Sequence, residues 1–170
     1  MPMPHSIVVL KIHAQSYGLI FPAVDRIIRL IEYFALPNAP QNVIGVIHFQ
    51  GAVLPVISMR RRFGLPEREP MPSDHLVLAH TARRRLALLV DEVCGFERVS
   101  TEDWVTMDSI GTQLSDMGIS GVAKRPDGLI MIHNLDRCLA LDEQMTLDVA
   151  LSASSSATAA AKLSAAHEPR

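Results

Sequence analysis

The sequence predicts an all-β fold made of two small β-barrels of equivalent topology. The chain consists of short apolar segments separated by glycine, proline and asparagine turns, which is typical of a protein rich in strands. Its two halves present similar segments in the same order, as a structural duplication would. With 170 residues and 48% hydrophobic content, the chain is long enough to enclose a core. Because aromatic residues make up 5%, that core must consist mainly of Val, Ile, Leu and Met.

The first elements are predicted to be strands. One is placed at residues 7–14, where apolar and polar side chains alternate as they do on a half-buried strand. A hairpin turn is expected at residues 15–18, because Gly18 can adopt a positive φ angle. The apolar segment 19–30 is rich in β-branched residues, which favour a strand, although a helix is also compatible with it.

A tight hairpin follows a short helical turn that Asn38 is expected to cap. Its strands are predicted at residues 45–50 and 53–57, with the turn around Gly51. Proline lacks a backbone N–H group, so Pro55 predicts a sheet edge or a β-bulge at its position.

The first half is expected to end in a capped helical turn and a linker. Ser58 is placed at the N-cap, and Met59 and Phe63 share one face because they are four residues apart. The segment 64–72 is rich in proline and charge, so an internal boundary is predicted near residues 64–75.

The second half is predicted to contain four strands and one irregular segment. The irregular segment, residues 101–120, is polar and shows no clear periodicity. Asn134 is expected to cap a final helical turn in which Leu135 and Leu139 share one face. The strands are placed at residues 76–79, 86–93, 121–123 and 129–133, with a turn at 125–128 between the last two.

Composition divides the chain into one folded domain and a tail. Residues 1–149 contain all of the predicted strands. Beyond Val149 the sequence is rich in alanine and serine and low in complexity. Residues 150–170 are therefore expected to form a frayed helix or a flexible tail.

Four motifs recur in the same order in the two halves. Each half shows a strand, a gap, a glycine-anchored hairpin and a capped turn, so we favour a real duplication over chance similarity between apolar strands. Two barrels of equivalent topology would produce this pattern. The motifs are Val24-Asp25-Arg26-Ile27 with Val90-Asp91-Glu92-Val93, Gly45-Val46 with Gly121-Val122, the strands after Gly51 and Gly128, and Ser58-Met59 with Asn134-Leu135.

The sequence contains no motif that indicates catalysis, a cofactor or a metal ion. It lacks the glycine-rich phosphate loop and the nucleophile elbow. Ser73-Asp74-His75 contains the residue types of a catalytic triad, but three adjacent loop residues do not surround one proton path. The seven histidines show no metal-binding spacing. We therefore expect a protein that is not an enzyme.

Charge and cysteine content favour a protein partner inside the cell. The formal net charge is −2, which does not favour nucleic-acid binding. The arginine triplets at 60–62 and 83–85 are either solvated or form a basic patch for an acidic protein. Cys94 and Cys138 are expected to be free thiols in a reducing compartment. Without a signal peptide or an apolar run of about 20 residues, the expected location is the cytoplasm.

Residues 43–60 resemble the signature of CheW-type domains. The family pattern is G-V-x-N-x-R-G-x-I-x-P-V-x-D-L-R, and the segment reads VIGVIHFQGAVLPVISMR. Further pieces resemble the family in order and spacing between about Ile7 and Leu141. They are Tyr17-Gly18-Leu19, Val24-Asp25-Arg26-Ile27, Leu36-Pro37 with Pro40, the strand 88–93 and the closing hairpin at 119–130.

The resemblance implies two intertwined, SH3-like, five-stranded barrels around a shared core, with short helical turns and a C-terminal helix or tail. It implies a non-enzymatic adaptor that couples chemoreceptors to a CheA-type histidine kinase. The receptor tip would bind between the subdomains, and the kinase's homologous regulatory domain would bind a barrel end. Such a protein would be recruited to membrane receptor arrays without inserting into the bilayer or binding nucleic acid.

The resemblance also implies which residues contact partners. For the apolar residues among them, packing in the core is the alternative to contact with a partner. The two possibilities are equally favoured for the valines at 56 and 90. Gly51 is also explained by the turn alone, because glycine permits the backbone conformation of a turn. The expected contacts are Val24, Arg26, Ile27, Gly45, Gln50, Gly51, Val56 and Arg60 in the first half and Val90, Asp91 and Val93 in the second.

Three residues depart from the family pattern. Arg26 stands where the family has glutamate, Gln50 where it has arginine, and Ser58 where it has an acidic residue. The reversed charge at Arg26 implies a partner that has changed with it or an interface that has been lost. Two alternatives follow, namely a module in pilus motility or surface sensing, and an array component that only oligomerises.

Overall fold

The computed structural model describes residues 5–106, 118–137 and 143–153. These residues form eleven strands, one short helix (α1, Met59–Arg62) and a C-terminal helix (α2, 143–153). The strands are β1 His5–Ile12, β2 Gln15–Ile20, β3 Val24–Arg29, β4 Val43–Phe49, β5 Ala52–Ser58, β6 His75–His80, β7 Arg85–Val90, β8 Glu92–Val99, β9 Trp104–Thr106, β10 Ile119–Arg125 and β11 Gly128–His133.

The described strands make two sheets of the same topology. One has the order β8-β1-β2-β11-β10-β9 and the other β3-β6-β7-β5-β4. Leaving β9 aside, the neighbours match one for one, and so do the parallel pairs, β2 with β11 and β7 with β5. The predicted all-β fold with two similar subdomains is confirmed. One sheet has a sixth strand, because 104–106, within the segment predicted to be irregular, pairs with β10.

The two repeats are intertwined. The hairpin β1–β2 of the first repeat pairs with strands β8 and β11 of the second, whereas the hairpin β6–β7 of the second pairs with β3 and β5 of the first. The predicted boundary at 64–75 is the segment that joins the repeats, between α1 and β6. Each sheet therefore depends on both halves of the chain.

The β-bulges show which residues are equivalent. Asp25 is the extra residue in the pairing of β3 with β6, and Cys94 is the extra residue in the pairing of β8 with β1. This register makes Arg26 equivalent to Gly95 and Ile27 equivalent to Phe96. The predicted match of Val24-Asp25-Arg26-Ile27 with the segment starting at Val90 was therefore shifted by three residues. The matches of Gly45 with Gly121 and of Ser58 with Asn134 agree with the registers.

The core of the described residues has three parts. One lies inside the five-stranded sheet, one inside the six-stranded sheet, and the largest is shared between the sheets. Strand β1 contributes residues to two parts of the core. Ile7 and Val9 face the interior of its own sheet, and Val8 and Leu10 face the shared core. The predicted alternation holds at the end of the strand, where Lys11 is exposed between buried Leu10 and Ile12, but not at residues 7–10, where both faces are buried.

Several predicted turns lie elsewhere. The β1–β2 turn is at His13, with a φ of 58°, and not at 15–18; Gly18 is inside β2. Segment 19–30 contains the end of β2, a 3₁₀ turn at Phe21–Ala23 and β3. Asn38 has a φ of 62° in a turn and caps no helix.

Other local predictions are confirmed. The Ser58 hydroxyl accepts a hydrogen bond from the Arg61 N–H at 3.3 Å and so caps α1. Gln50 and Gly51 form the β4–β5 turn with φ angles of 48° and 80°. Pro55 lies just before the residues of β5 that pair with β7, which begin at Val56.

The C-terminal helix packs on the shared core and extends past the predicted end of the domain. Leu147 and Ala150 on α2 are buried there. Cys138, Leu139 and the tail from residue 154 onward lie outside the described residues. Among the described helices, none is long and apolar enough to cross a membrane.

Candidate functional site

The first group of expected contact residues lies on β3, an edge strand of the five-stranded sheet. Arg26 is exposed, and its guanidinium lies 5.7 Å from the centroid of the Phe49 ring on β4, the opposite edge strand. The sheet is therefore curled so that its two edges approach each other. Val24 and Ile27 are half-buried against the shared core and leave part of their surface open.

The second group belongs to the β4–β5 hairpin, and the structure divides it. Gln50 and Gly51 are exposed at the tip. Gly45 is buried, and a Cβ atom added there would lie 2.3 Å from the carbonyl oxygen of Phe34, so glycine is needed for close approach of the backbone. Val56 has 0% exposure inside the five-stranded sheet. Gly45 and Val56 are therefore core residues, not surface contacts.

The third group lies where β7 ends and β8 begins. Val90 is only 1% exposed in the shared core and offers no surface to a partner, whereas Val93 is half-buried. Arg60 and Asp91 form a bidentate ion pair, with Nε–Oδ1 at 3.0 Å and Nη2–Oδ2 at 2.5 Å. The backbone N–H of His13 donates to the same carboxylate at 2.8 Å.

This environment holds Asp91 in its charged form. Its burial alone would raise the pKa of the carboxyl group, since a buried charge is poorly solvated. The hydrogen bonds from Arg60 and His13, together with the positive charges of Arg60 and Arg68, outweigh burial and lower the pKa below its ordinary value. The carboxylate is thus a fixed negative charge between two arginines.

A cleft of about 430 Å³ opens beside this ion pair. The arginines in its described walls are paired with carboxylates, Arg60 with Asp91, Arg61 with Glu67 and Arg68 with Asp74. These guanidinium groups are therefore engaged within the chain and are not free to bind a small anion.

The two arginine triplets are largely engaged within the chain. Arg84 bonds to Gln144, at 3.0 Å, and to Asp148, and so fastens α2 to the β6–β7 turn. Arg62 donates to the carbonyl oxygen of Arg137 at 3.1 Å. Arg85 lies 3.9 Å from Asp25. The expected basic patches for an acidic partner are therefore mostly anchoring contacts.

Sequence reasoning missed an exposed apolar pair on the six-stranded sheet. Phe21 and Phe96 are 46% and 62% exposed, and their rings meet edge to face with centroids 5.4 Å apart. Phe96 lies on the edge strand β8 at the position equivalent to Ile27. This equivalence comes from the bulges in the paired strands β3 and β8 and cannot be read from the sequence.

A second missed pair lies on the two hairpins. Val53 pairs with His48 and Leu129 pairs with Lys124, so the two residues occupy equivalent positions on their hairpins. Val53 is 52% exposed and Leu129 is 62% exposed. Each sheet therefore presents an apolar hairpin position and an edge-strand position to solvent.

Comparison with known proteins identifies the family. Residues 6–143 match the model of the CheW-like domain. The chain is 27% identical over 138 residues to the chemotaxis protein CheW of Rhizobium meliloti (strain 1021), covering 81% of this chain and 89% of that protein. It is 32% identical over 104 residues to a probable chemotaxis protein CheW of Rhizobium etli, covering 59% of this chain and 67% of that protein.

The fold comparison agrees. The structure of the scaffolding protein TtCheW from Thermoanaerobacter tengcongensis superposes with a TM-score of 0.74 at 23% identity, over 83% of this chain and 96% of that one. The topology, the repeat registers and the family match over residues 6–143 lead to one conclusion. The chain belongs to the CheW-like domain family.

Proposed function

We propose that the protein is a non-enzymatic chemotaxis adaptor that couples chemoreceptors to a CheA-type histidine kinase. The observation that carries the proposal is the CheW-like domain over residues 6–143, folded as two equivalent sheets joined by one core. An adaptor must bind two partners on one rigid body, so that the state of one partner biases the other. Two equivalent sheets supply two similar but distinct surfaces.

The surfaces are assigned to the exposed residues of the two sheets. On the five-stranded sheet they include Arg26, Ile27 and the hairpin tip at Gln50 and Gly51. On the six-stranded sheet they include Phe96 and the hairpin residue Leu129, both 62% exposed. Apolar residues at such positions supply contact energy, and the polar residues around them set specificity.

Two of the three departures from the family pattern change the exposed surface. Arg26 and Gln50 are exposed, so they alter what a partner meets. Ser58 is only 8% exposed and caps α1, a role that an acidic residue can also fill, so this departure changes little of the surface that a partner meets. The partner of this chain is accordingly expected to carry an acidic residue opposite Arg26.

The location and the extent of the working domain are also part of the proposal. The adaptor acts in the cytoplasm, where receptor arrays recruit it to the membrane surface. Residues 1–149 form the domain that carries the partner surfaces. Ala150 and Leu151 nevertheless pack against the shared core, so they contribute to the stability of the domain.

Calorimetry against the regulatory domain of the CheA-type kinase encoded alongside this protein tests the proposal. We expect micromolar or tighter binding by the wild type. Arg26→Glu should weaken it by about tenfold or more, because an exposed charge reversal places like charges together. Gln50→Arg tests the hairpin tip in the same way, and Arg83→Gln, at an exposed residue of the β6–β7 turn, is the control. Failure of the wild type and of every variant to bind would refute the adaptor function.

A further inference from the structure

The chain passes from one sheet to the other at Asp91. Strand β7 ends at Val90 in the five-stranded sheet, and β8 begins at Glu92 in the six-stranded sheet. The Asp91 carboxylate accepts hydrogen bonds from Arg60, which is on α1, and from the His13 N–H, which is in the β1–β2 turn. A single side chain thus joins the crossing point to elements of both sheets.

The linker between the repeats is tied to the same place. Arg68 lies 3.2 Å from Asp91 and also binds both oxygens of Asp74, at 2.6 and 2.8 Å. Asp74 is 2% exposed and also accepts the Met71 N–H at 2.9 Å. Arg60 in turn donates to the carbonyl oxygen of Pro66 at 2.7 Å. The linker is therefore held at its start, its middle and its end.

The other half of the molecule contains a corresponding tie built from different residues. Ala82 is the register equivalent of His13, and its N–H donates to the carboxylate of Asp136 at 2.8 Å. Asp136 follows β11 in the six-stranded sheet, at the position equivalent to Arg60. In both halves, a hairpin turn of one sheet is fastened by a carboxylate from an element attached to the other sheet. The recurrence indicates that the tie is a feature of this architecture.

We infer that Asp91, with Arg60 and Arg68, is a positioning residue that fixes the inter-repeat linker and the β1–β2 turn, and so sets the placement of the two sheets. The family resemblance implied that Arg60 and Asp91 contact a partner. Their side chains are only 14% and 20% exposed, and they are paired with each other. A partner that bound either charge directly would have to break a partly buried ion pair and leave the other charge unpaired. Their effect on partner binding, which rests on the proposed function, is therefore indirect.

Hydrogen exchange of the intact protein tests the positioning role without any partner. Asp91→Asn, and Asp91→Ala, which also removes the hydrogen-bond acceptor, should speed amide exchange in the β1–β2 turn and in the linker 64–74 by about tenfold or more. Arg83→Gln is the control, because Arg83 is an exposed residue of the β6–β7 turn and lies in neither of the two measured segments. Exchange that is unchanged in both segments, or faster in only one of them, would overturn the inference.

Binding to the kinase regulatory domain separates positioning from contact. If Arg60 and Asp91 act by positioning, Arg60→Gln and Asp91→Asn should both weaken binding. The double variant should then bind as tightly as the weaker-binding of the two single variants. Direct contact predicts opposite effects, because one substitution removes a positive charge and the other a negative charge. Indirect action on binding would be refuted if the two substitutions changed the affinity in opposite directions or additively. It would also be refuted if folded variants bound with the affinity of the wild type. If the wild type does not bind, the adaptor function fails, and the exchange experiment still decides the positioning role.

Discussion

At the scale of single residues, the buried histidine on β11 is the clearest source of pH dependence. His133 is 1% exposed, and its Nε2 atom meets no hydrogen-bond partner within the described part of the chain. Burial, and secondarily the positive charge of Arg62, lowers the pKa of His133 to about 4. Its register equivalent in the other sheet is Ile57, an apolar residue. The fold therefore requires His133 to be neutral.

This requirement predicts how stability changes with pH. The unfolded histidine has an ordinary pKa of 6.5, so between that value and about 4 the unfolded chain binds more protons than the folded one. Above pH 6.5, His133 is neutral in both states and the free energy of unfolding has its full value. As the pH falls from 6.5 towards 4, protonation of His133 in the unfolded chain lowers the free energy of unfolding by about 3 kcal/mol. Urea unfolding between pH 4.5 and 7 should show this slope in the wild type and a flatter one in His133→Gln.

The control for this experiment is His48→Gln, because His48 is exposed. It should keep the slope of the wild type. An equal slope in the wild type and in His133→Gln would show that the buried histidine is not the titrating group.

Residue-level predictions from the sequence succeeded where local geometry decides the role. Gln50 and Gly51 form the expected turn, and Ser58 caps the expected helix. Val56 and Val90 could not be assigned, because an apolar residue on a strand can face a core or a partner. Only the neighbouring strands of the folded sheet show that both are enclosed.

At the scale of elements, the C-terminal helix depends on the β6–β7 turn. Arg84 is only 13% exposed at its side chain and bonds to Gln144 and Asp148 on α2. The second anchor is Asn42, which donates to Glu143 at 3.2 Å. The apolar residues Leu147 and Ala150 complete the attachment. The helix is therefore held by polar contacts at its start and by packing along one face.

We predict that Arg84→Gln loosens α2 without unfolding the sheets. The loss of its charge-assisted hydrogen bonds should lower the free energy of unfolding by about 1–3 kcal/mol and raise amide exchange in residues 143–153. Arg83→Gln is the matched control, because Arg83 belongs to the same triplet but its side chain is exposed. The prediction is wrong if the two variants exchange alike in α2.

The sequence predicted most strands but not where the chain changes sheet. The sequence predicts one strand over residues 86–93, yet the structure breaks it at Asp91, because β7 pairs with β6 in one sheet and β8 pairs with β1 in the other. Strand β9 has three residues, too few to show a periodicity. The pairing of distant segments decided both features, and a local pattern contains no information about it.

At the scale of the whole molecule, the duplication found in the sequence is real, but its halves do not fold as separate barrels. Each sheet takes its hairpin from one repeat and its remaining strands from the other. The motif order predicted the duplication, since Gly45 and Gly121 lie at equivalent bulges. The family resemblance implied that the barrels are intertwined, but the apolar pattern alone could not show it, because both arrangements bury the same apolar faces.

This interleaving suits an adaptor. The shared core contains residues from β1, β2, β6 and β7, so the two sheets move as one body. A displacement that one partner imposes on one sheet is then transmitted to the other sheet. Coupling of this kind requires both surfaces to be occupied at the same time.

The most direct measurement is co-sedimentation of the CheA-type kinase with vesicles that contain a chemoreceptor, in the presence and absence of this protein. The adaptor function predicts that the kinase sediments with the vesicles at a markedly higher level when the protein is present. It also predicts that Arg26→Glu reduces this recruitment while Arg83→Gln does not. Equal sedimentation of the kinase with and without the protein would contradict the proposal that one rigid body joins receptor and kinase.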